Sequence, residues 1–179
     1  MSRQAKSGRR RYHALPRVLA LLEQYRRQGL KTKDMFKSIE QLVCAHALCE
    51  LIDATEIPLD QILNVRASLV QCQAPPDLAD AAAQTLKQLT QPHGRQPLPR
   101  ALVRLICHHG RNMSKKDGFS RLGHVGRFSL LCQLLEQIKL SPAEKKFAAA
   151  RLRTIENAVR AVGLAPALRR TIKNLLAAS

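Results

Sequence analysis

Residues 141–163 read SPAEKKFAAARLRTIENAVRAVG, and both ends of an amphipathic helix are written into them. Ser141, Pro142 and Glu144 stand where an N-cap, a first-turn proline and an N3 glutamate belong, a capping box that satisfies otherwise orphaned backbone donors. Gly163 suits the left-handed residue that closes a helix. Between them Ala148, Leu152, Ile155, Val159 and Val162 alternate at spacings of four and three, which draws a packing seam. Lys146, Arg153 and Arg160 recur every seven residues. At 100° per residue Arg153 falls about 130° from the centre of the seam, on a solvent face. The spacing predicts one helix from Pro142 to Val162.

The same grammar extends both ways along the chain. Further helices are expected over about 16–28, 32–53, 58–73, 77–91, 99–109, 127–139 and 166–177, opened or closed by Pro16, Gly29, Pro58, the Pro75–Pro76 pair, Pro99 and Pro166. No segment alternates as a strand should. With no Trp, two Tyr and four Phe, the core must come from Leu, Ala, Ile and Val, and the aromatics fall at core or arm positions. The expectation is an all-α chain of about eight helices. It is either one compact bundle-like domain or two lobes joined near residues 92–99, where Gly94 and three prolines cluster. The lobes would be 14–91, with an acidic middle, and a basic 98–179. Residues 1–13 read as a flexible basic arm.

Charge is sorted along these 179 residues. Residues 1–37 hold 11 Lys and Arg against Glu23 and Asp34, residues 38–90 hold two against 7 acids, and residues 91–179 hold 17 against 4. The net charge is +17. Solubility does not require such segregation; two cationic blocks around an acidic one create a field that attracts polyanions.

Three groups of cations are candidates for phosphate contact. The first is the arm with Arg9, Arg10 and Arg11, able to follow a groove or backbone. The second is Arg111, Lys115, Lys116, Arg121 and Arg127 in 110–127, where four glycines and no helical period predict a loop feeding a helix that begins near Arg127. The third is Lys146, Arg153 and Arg160, with only Glu144 and Glu156 to balance the surrounding helix. Exposed helix positions favour Lys and Arg in any protein, but solvated faces usually mix signs.

Other chemistries find less support. Cys44, His46 and Cys49, and the run Cys107-His108-His109, sit in apolar helical stretches, where a reduced cysteine behaves as a small hydrophobe, so no metal is expected. No nucleophile elbow, zinc-protease motif, phosphate-loop fingerprint or paired carboxylate set occurs; Asp117 is a lone acid in its segment, and the chain is read as non-catalytic and without a cofactor. Paired stacking aromatics of the RRM or OB type are missing. A helix-turn-helix hinged at Asn64 would lie in the acidic segment, the wrong sign for reading a groove. Five cysteines, no leader-like start and no long apolar run suggest a reduced, cytoplasmic protein that does not enter a membrane.

The expected function is therefore non-catalytic binding of nucleic acid, DNA or RNA, through phosphates, in a regulatory or architectural role. Neutralising about six to eight phosphates would give a log–log salt slope near −5 to −7 on duplex DNA. The alternative is a structural or regulatory subunit of a nucleoprotein complex. In size, class and charge, and in those alone, the chain resembles the small all-α subunits of CRISPR surveillance complexes. Oligomeric state stays open, since the 148/152/155/159/162 seam can close on its own chain or on a second copy.

Overall fold

The structure, a computed structural model, describes residues 14–89, 94–113 and 118–177. These form nine α-helices and one short 3₁₀ turn, and the only strand-like pairing among them is an isolated parallel bridge between Thr55 and Gln96. The fold is all-α. The chain divides into two units, Met1–Leu98 and Pro99–Ser179. No helix among the described residues is long and apolar enough to cross a membrane.

Unit 1 is built on a hairpin of α1 (Leu15–Lys31) and α2 (Met35–Ala54). Gly29 does not end α1 but lies inside its last turn. A Cβ there would stand 3.2 Å from Leu42 Cδ2, so glycine serves the close approach of the two helices. Ser38 Oγ donates to the Gly29 carbonyl at 2.9 Å and ties them further. Asp34 caps α2, its Oδ1 accepting from the backbone N–H of Phe36 at 3.0 Å and of Lys37 at 3.3 Å. In the middle of α1, Glu23 takes Arg26 Nη2 at 2.7 Å and Arg27 Nε at 2.6 Å. These partners hold its carboxyl down at about 2.

A 3₁₀ turn at Leu59–Gln61 leads into α3 (Ile62–Gln71), and α4 (Pro76–Gln88) follows the proline pair. Asn64 lies inside α3, so no helix-turn-helix hinge falls there. Thr85 Oγ1 of α4 donates to the Cys49 carbonyl of α2 at 3.4 Å. Ala45, Leu48, Leu51, Ile52, Val65, Leu69, Leu78 and Ala82 are fully buried. By contrast Met35, Phe36, Ile39, Leu59, Leu63 and Val70 are exposed.

Unit 2 opens with α5 (Leu98–Asn112), followed by α6 (Gly118–Gln137), α7 (Pro142–Arg153), α8 (Glu156–Arg160) and α9 (Ala165–Ala177). The capping box forms as read: Ser141 Oγ accepts from Glu144 N at 3.3 Å, and Glu144 Oε2 accepts from Ser141 N at 2.9 Å. The helix it opens does not reach Val162. Thr154 Oγ1 bonds the Arg151 carbonyl at 2.7 Å, and Ile155 stands at φ −108°, ψ 3°. A threonine that takes a carbonyl from the ladder, followed by a second β-branched residue, interrupts the helix there. Ile155 and Val159 remain fully buried, so the seam survives the break. Gly163, at φ +76°, lets Leu164 N–H reach the Val159 carbonyl at 3.0 Å and close the segment.

The glycine-rich stretch is the larger correction. Residues 110–112 finish α5, and 118–126 form the first half of α6, so the described part of the expected loop is helical. Gly110 sits in α5 because a Cβ would meet Ile155 Cδ1 at 2.7 Å. On α6, His124 Nδ1 lies 2.9 Å from His109 Nδ1 and joins that half of the helix to α5.

Candidate nucleic-acid interface

Helix α5 has no acidic residue and only a narrow exposed strip. Ala101, Leu102, Val103, Ile106, Cys107, His109 and Gly110 are all buried. The exposed positions Arg100, Arg104, His108 and Arg111 repeat at i, i+4, i+8 and i+11. At 100° per residue they occupy about 80° of arc, one basic line along the helix.

Helix α7 lies beside this line. The Arg100 guanidinium stands 5.7 Å from the centroid of the Phe147 ring, a cation–π contact at the start of both helices. One to two turns further on, the Cys107 thiol donates to the Arg151 carbonyl at 3.7 Å, and Gly110 meets Ile155 and Val159. Burial pushes the Cys107 thiol up, while Arg111 and Arg151 pull it the other way. The Cys107–Arg151 backbone contact thus sets Arg151 on the helix that packs beside the α5 line. Phe147 is 40% exposed, so an aromatic ring stands on the cationic surface.

The structure distributes the expected site residues unevenly. Arg9, Arg10, Arg11, Lys115 and Lys116 lie outside the described residues. Arg111 belongs to the α5 line. Arg121 is exposed in the first turns of α6. Arg127 is half-buried in the middle of α6, so it does not stand at a helix start. Lys146 and Arg153 are exposed on α7, on the flank away from Arg151, with exposed Ala143 and Ala150 between the two flanks. Arg160 is exposed on α8, but it shares Glu156 with Arg169 at 3.6 Å, so it is partly neutralised.

The described acids of unit 2, Glu136, Glu144 and Glu156, have structural roles. Glu136 takes Thr171 Oγ1 at 2.6 Å and Asn174 Nδ2 at 2.9 Å, tying α9 to α6. Glu144 completes the capping box, and Glu156 accepts from Arg169 Nε at 2.7 Å, which holds its carboxyl below the ordinary range. Arg104, Lys146, Arg151, Arg153, Arg170 and Lys173 have no carboxylate partner among the described residues.

Sequence reasoning missed Arg100, Arg104 and Arg151. The signal for the first two was present: they share a face with His108 and Arg111. It was lost because the helix was ended at 109, which put Arg111 in a loop. The Arg151 signal needs the packing of α5 on α7 and was not available from spacing.

The five cysteines are all free thiols. Burial raises Cys44 and Cys72 to about 11 and Cys49 to about 12, and it raises Cys132 most. Burial thus disfavours the thiolate at these positions. No group of three or more His, Cys, Asp or Glu side chains converges in a metal-holding arrangement among the described residues. Comparisons with protein-family models, with curated proteins and with solved structures find no match for this chain.

Proposed function

We propose that this protein binds nucleic acid through the phosphate backbone, using the surface formed by α5 and α7. The observation that supports this is the composition of the α5 strip, where every exposed position from Arg100 to Arg111 named above is a cation or an imidazole. A helix that is apolar on its buried side and wholly basic on its narrow wet side spends its surface on one sign of charge. Lys146, Arg151 and Arg153 extend that sign onto α7. Binding would be driven by counterion release, with little sequence discrimination and steep salt dependence. The arm, with Arg9, Arg10 and Arg11, and the pair Lys115 and Lys116 belong to the same proposal as further phosphate contacts. No chemical step is assigned to the chain, and its free thiols suit a reducing, cytoplasmic setting.

The test is a salt-titrated binding series with duplex DNA, single-stranded DNA and structured RNA. Low-micromolar binding at low salt, with a log–log slope of about −5 to −7 on the duplex, is expected. Salt-independent binding, or none at low salt, overturns the reading.

A second reading, a subunit of a larger nucleoprotein assembly, is favoured by one observation: unit 1 leaves several large apolar side chains uncovered, Phe36 and Leu59 among them. A subunit of that kind binds nucleic acid weakly alone and tightly within its complex. The same titration separates the two.

A further inference from the structure

Unit 1 presents two apolar faces to solvent. The first joins Leu30 at the end of α1 to Met35, Phe36 and Ile39 at the start of α2, which are 49%, 67%, 72% and 43% exposed. The three α2 residues lie within about 100° of arc. Exposed Lys31 and Lys33 lie at its α1–α2 end, and exposed Glu40 flanks it on α2, with Lys37 beyond Glu40. Asp34 is occupied in capping α2. The second face consists of Leu59, Leu63 and Val70, at 86%, 74% and 54% exposure. Exposed Glu56 and Asp60 lie at its Leu59 end, and exposed Arg66 lies beside Leu63 and Val70.

Seven large apolar side chains gathered in two patches are more than the scattered exposure that any protein surface shows. Rim charge selects the occupant. If the first face met itself, Lys31 and Lys33 would oppose their own counterparts. If the second met itself, the first would still be uncovered. Setting the first face on the second brings Lys31 and Lys33 to Glu56 and Asp60, offers Glu40 to Arg66, and covers both apolar patches. Rim charge therefore pairs two different faces of the same chain.

We propose that the Leu30/Met35/Phe36/Ile39 face of one copy docks on the Leu59/Leu63/Val70 face of a second copy. The contact is heterologous, so a bound pair keeps one unused face of each kind, one on each copy, and association runs head to tail into open chains or closes as a ring. This proposal is independent of the nucleic-acid reading: it uses unit 1 alone and needs no polyanion.

Light scattering coupled to size exclusion, run on the full chain over a concentration series, tests it. The wild-type mass should rise with concentration past that of a dimer. Phe36→Asp blocks the first face and Leu63→Asp the second. Each variant alone should be monomeric, with self-association weakened by roughly 30-fold or more, the effect of removing an interface hot spot. Mixed one to one, the two variants should form a dimer and stop there, because each supplies the face the other has lost. Lys31→Glu with Lys33→Glu, which leaves the apolar surface intact, should weaken association and be rescued by Asp60→Lys on the other copy. A wild-type chain that stays monomeric, as it would if unit 2 covered these faces, overturns the proposal. So does a mixture that fails to dimerise, or a single variant that still dimerises with itself.

Discussion

Replacing Arg100, Arg104 and Arg151 together by alanine removes three cations from the α5–α7 surface. All three side chains are exposed and take part in no hydrogen bond or ion pair among the described residues, so the fold loses only the contact of Arg100 with Phe147. Each phosphate contact contributes about −0.9 to the log–log salt slope on duplex DNA, so three lost contacts flatten it by about 2.7. Between 50 and 200 mM salt, a fourfold change, those three contacts account for a factor of about 40 in affinity. The variant should therefore lose roughly 40-fold less affinity than the parent over that range, besides binding more weakly at every salt concentration. Fluorescence anisotropy with a labelled duplex measures both quantities. Arg66→Ala with Lys87→Ala, which alters the acidic segment of unit 1, is the control and should leave the slope unchanged. A triple variant whose slope matches the parent, or a control that flattens it equally, would refute the assignment of phosphate contact to α5 and α7.

Gly110→Ala and Gly123→Ala should move stability in opposite directions. At Gly110 a Cβ meets buried Ile155 at 2.7 Å, so overpacking outweighs the helical gain and costs about 1 kcal/mol net; at Gly123 nothing lies within 4 Å, and alanine should add about 1 kcal/mol, both read from denaturant midpoints. Glu23→Gln should destabilise unit 1 at neutral pH. Arg26 and Arg27 lower this carboxyl from 4.5 to about 2, so its contribution is fully present above about pH 4.5 and disappears as pH falls through 2. The parent–variant difference in thermal midpoint should shrink over that window, and a pH-independent difference would contradict the ion-pair account. Cys49, raised to about 12 by burial, should resist a thiol-specific disulfide reagent at neutral pH and react only on unfolding.

What was legible in the sequence was the grammar of helix ends. Ser141 with Glu144, Pro76 and Gly163 mark termini by local chemistry that tertiary packing leaves alone. Glycine was ambiguous for a physical reason. Gly94, Gly118 and Gly163 are the described glycines with positive φ, whereas Gly29 and Gly110 are helical and serve close packing. A missing Cβ reads the same in either use, which turned α6's first half into an expected loop. The break at Thr154 was hidden for a related reason: the buried side of Ile155 and Val159 keeps a helical period across it. Apolar periodicity likewise found α2 and α3 but not which of their apolar residues stay wet, since Phe36 and Leu48 look alike until neighbours are placed. On the candidate surface, two residues of lost helix separated Arg111 from Arg100 and Arg104. The line of four was in the spacing, and the place of Arg151 beside it was not.

Photo-crosslinking of the full chain to a duplex, followed by mass spectrometry of the adducts, tests the central claim most directly. Adducts should concentrate in 100–111 and 146–153, and they should fade together as salt rises. Crosslinks spread evenly over the chain, or centred on the acidic helices between Glu56 and Asp80, would contradict it.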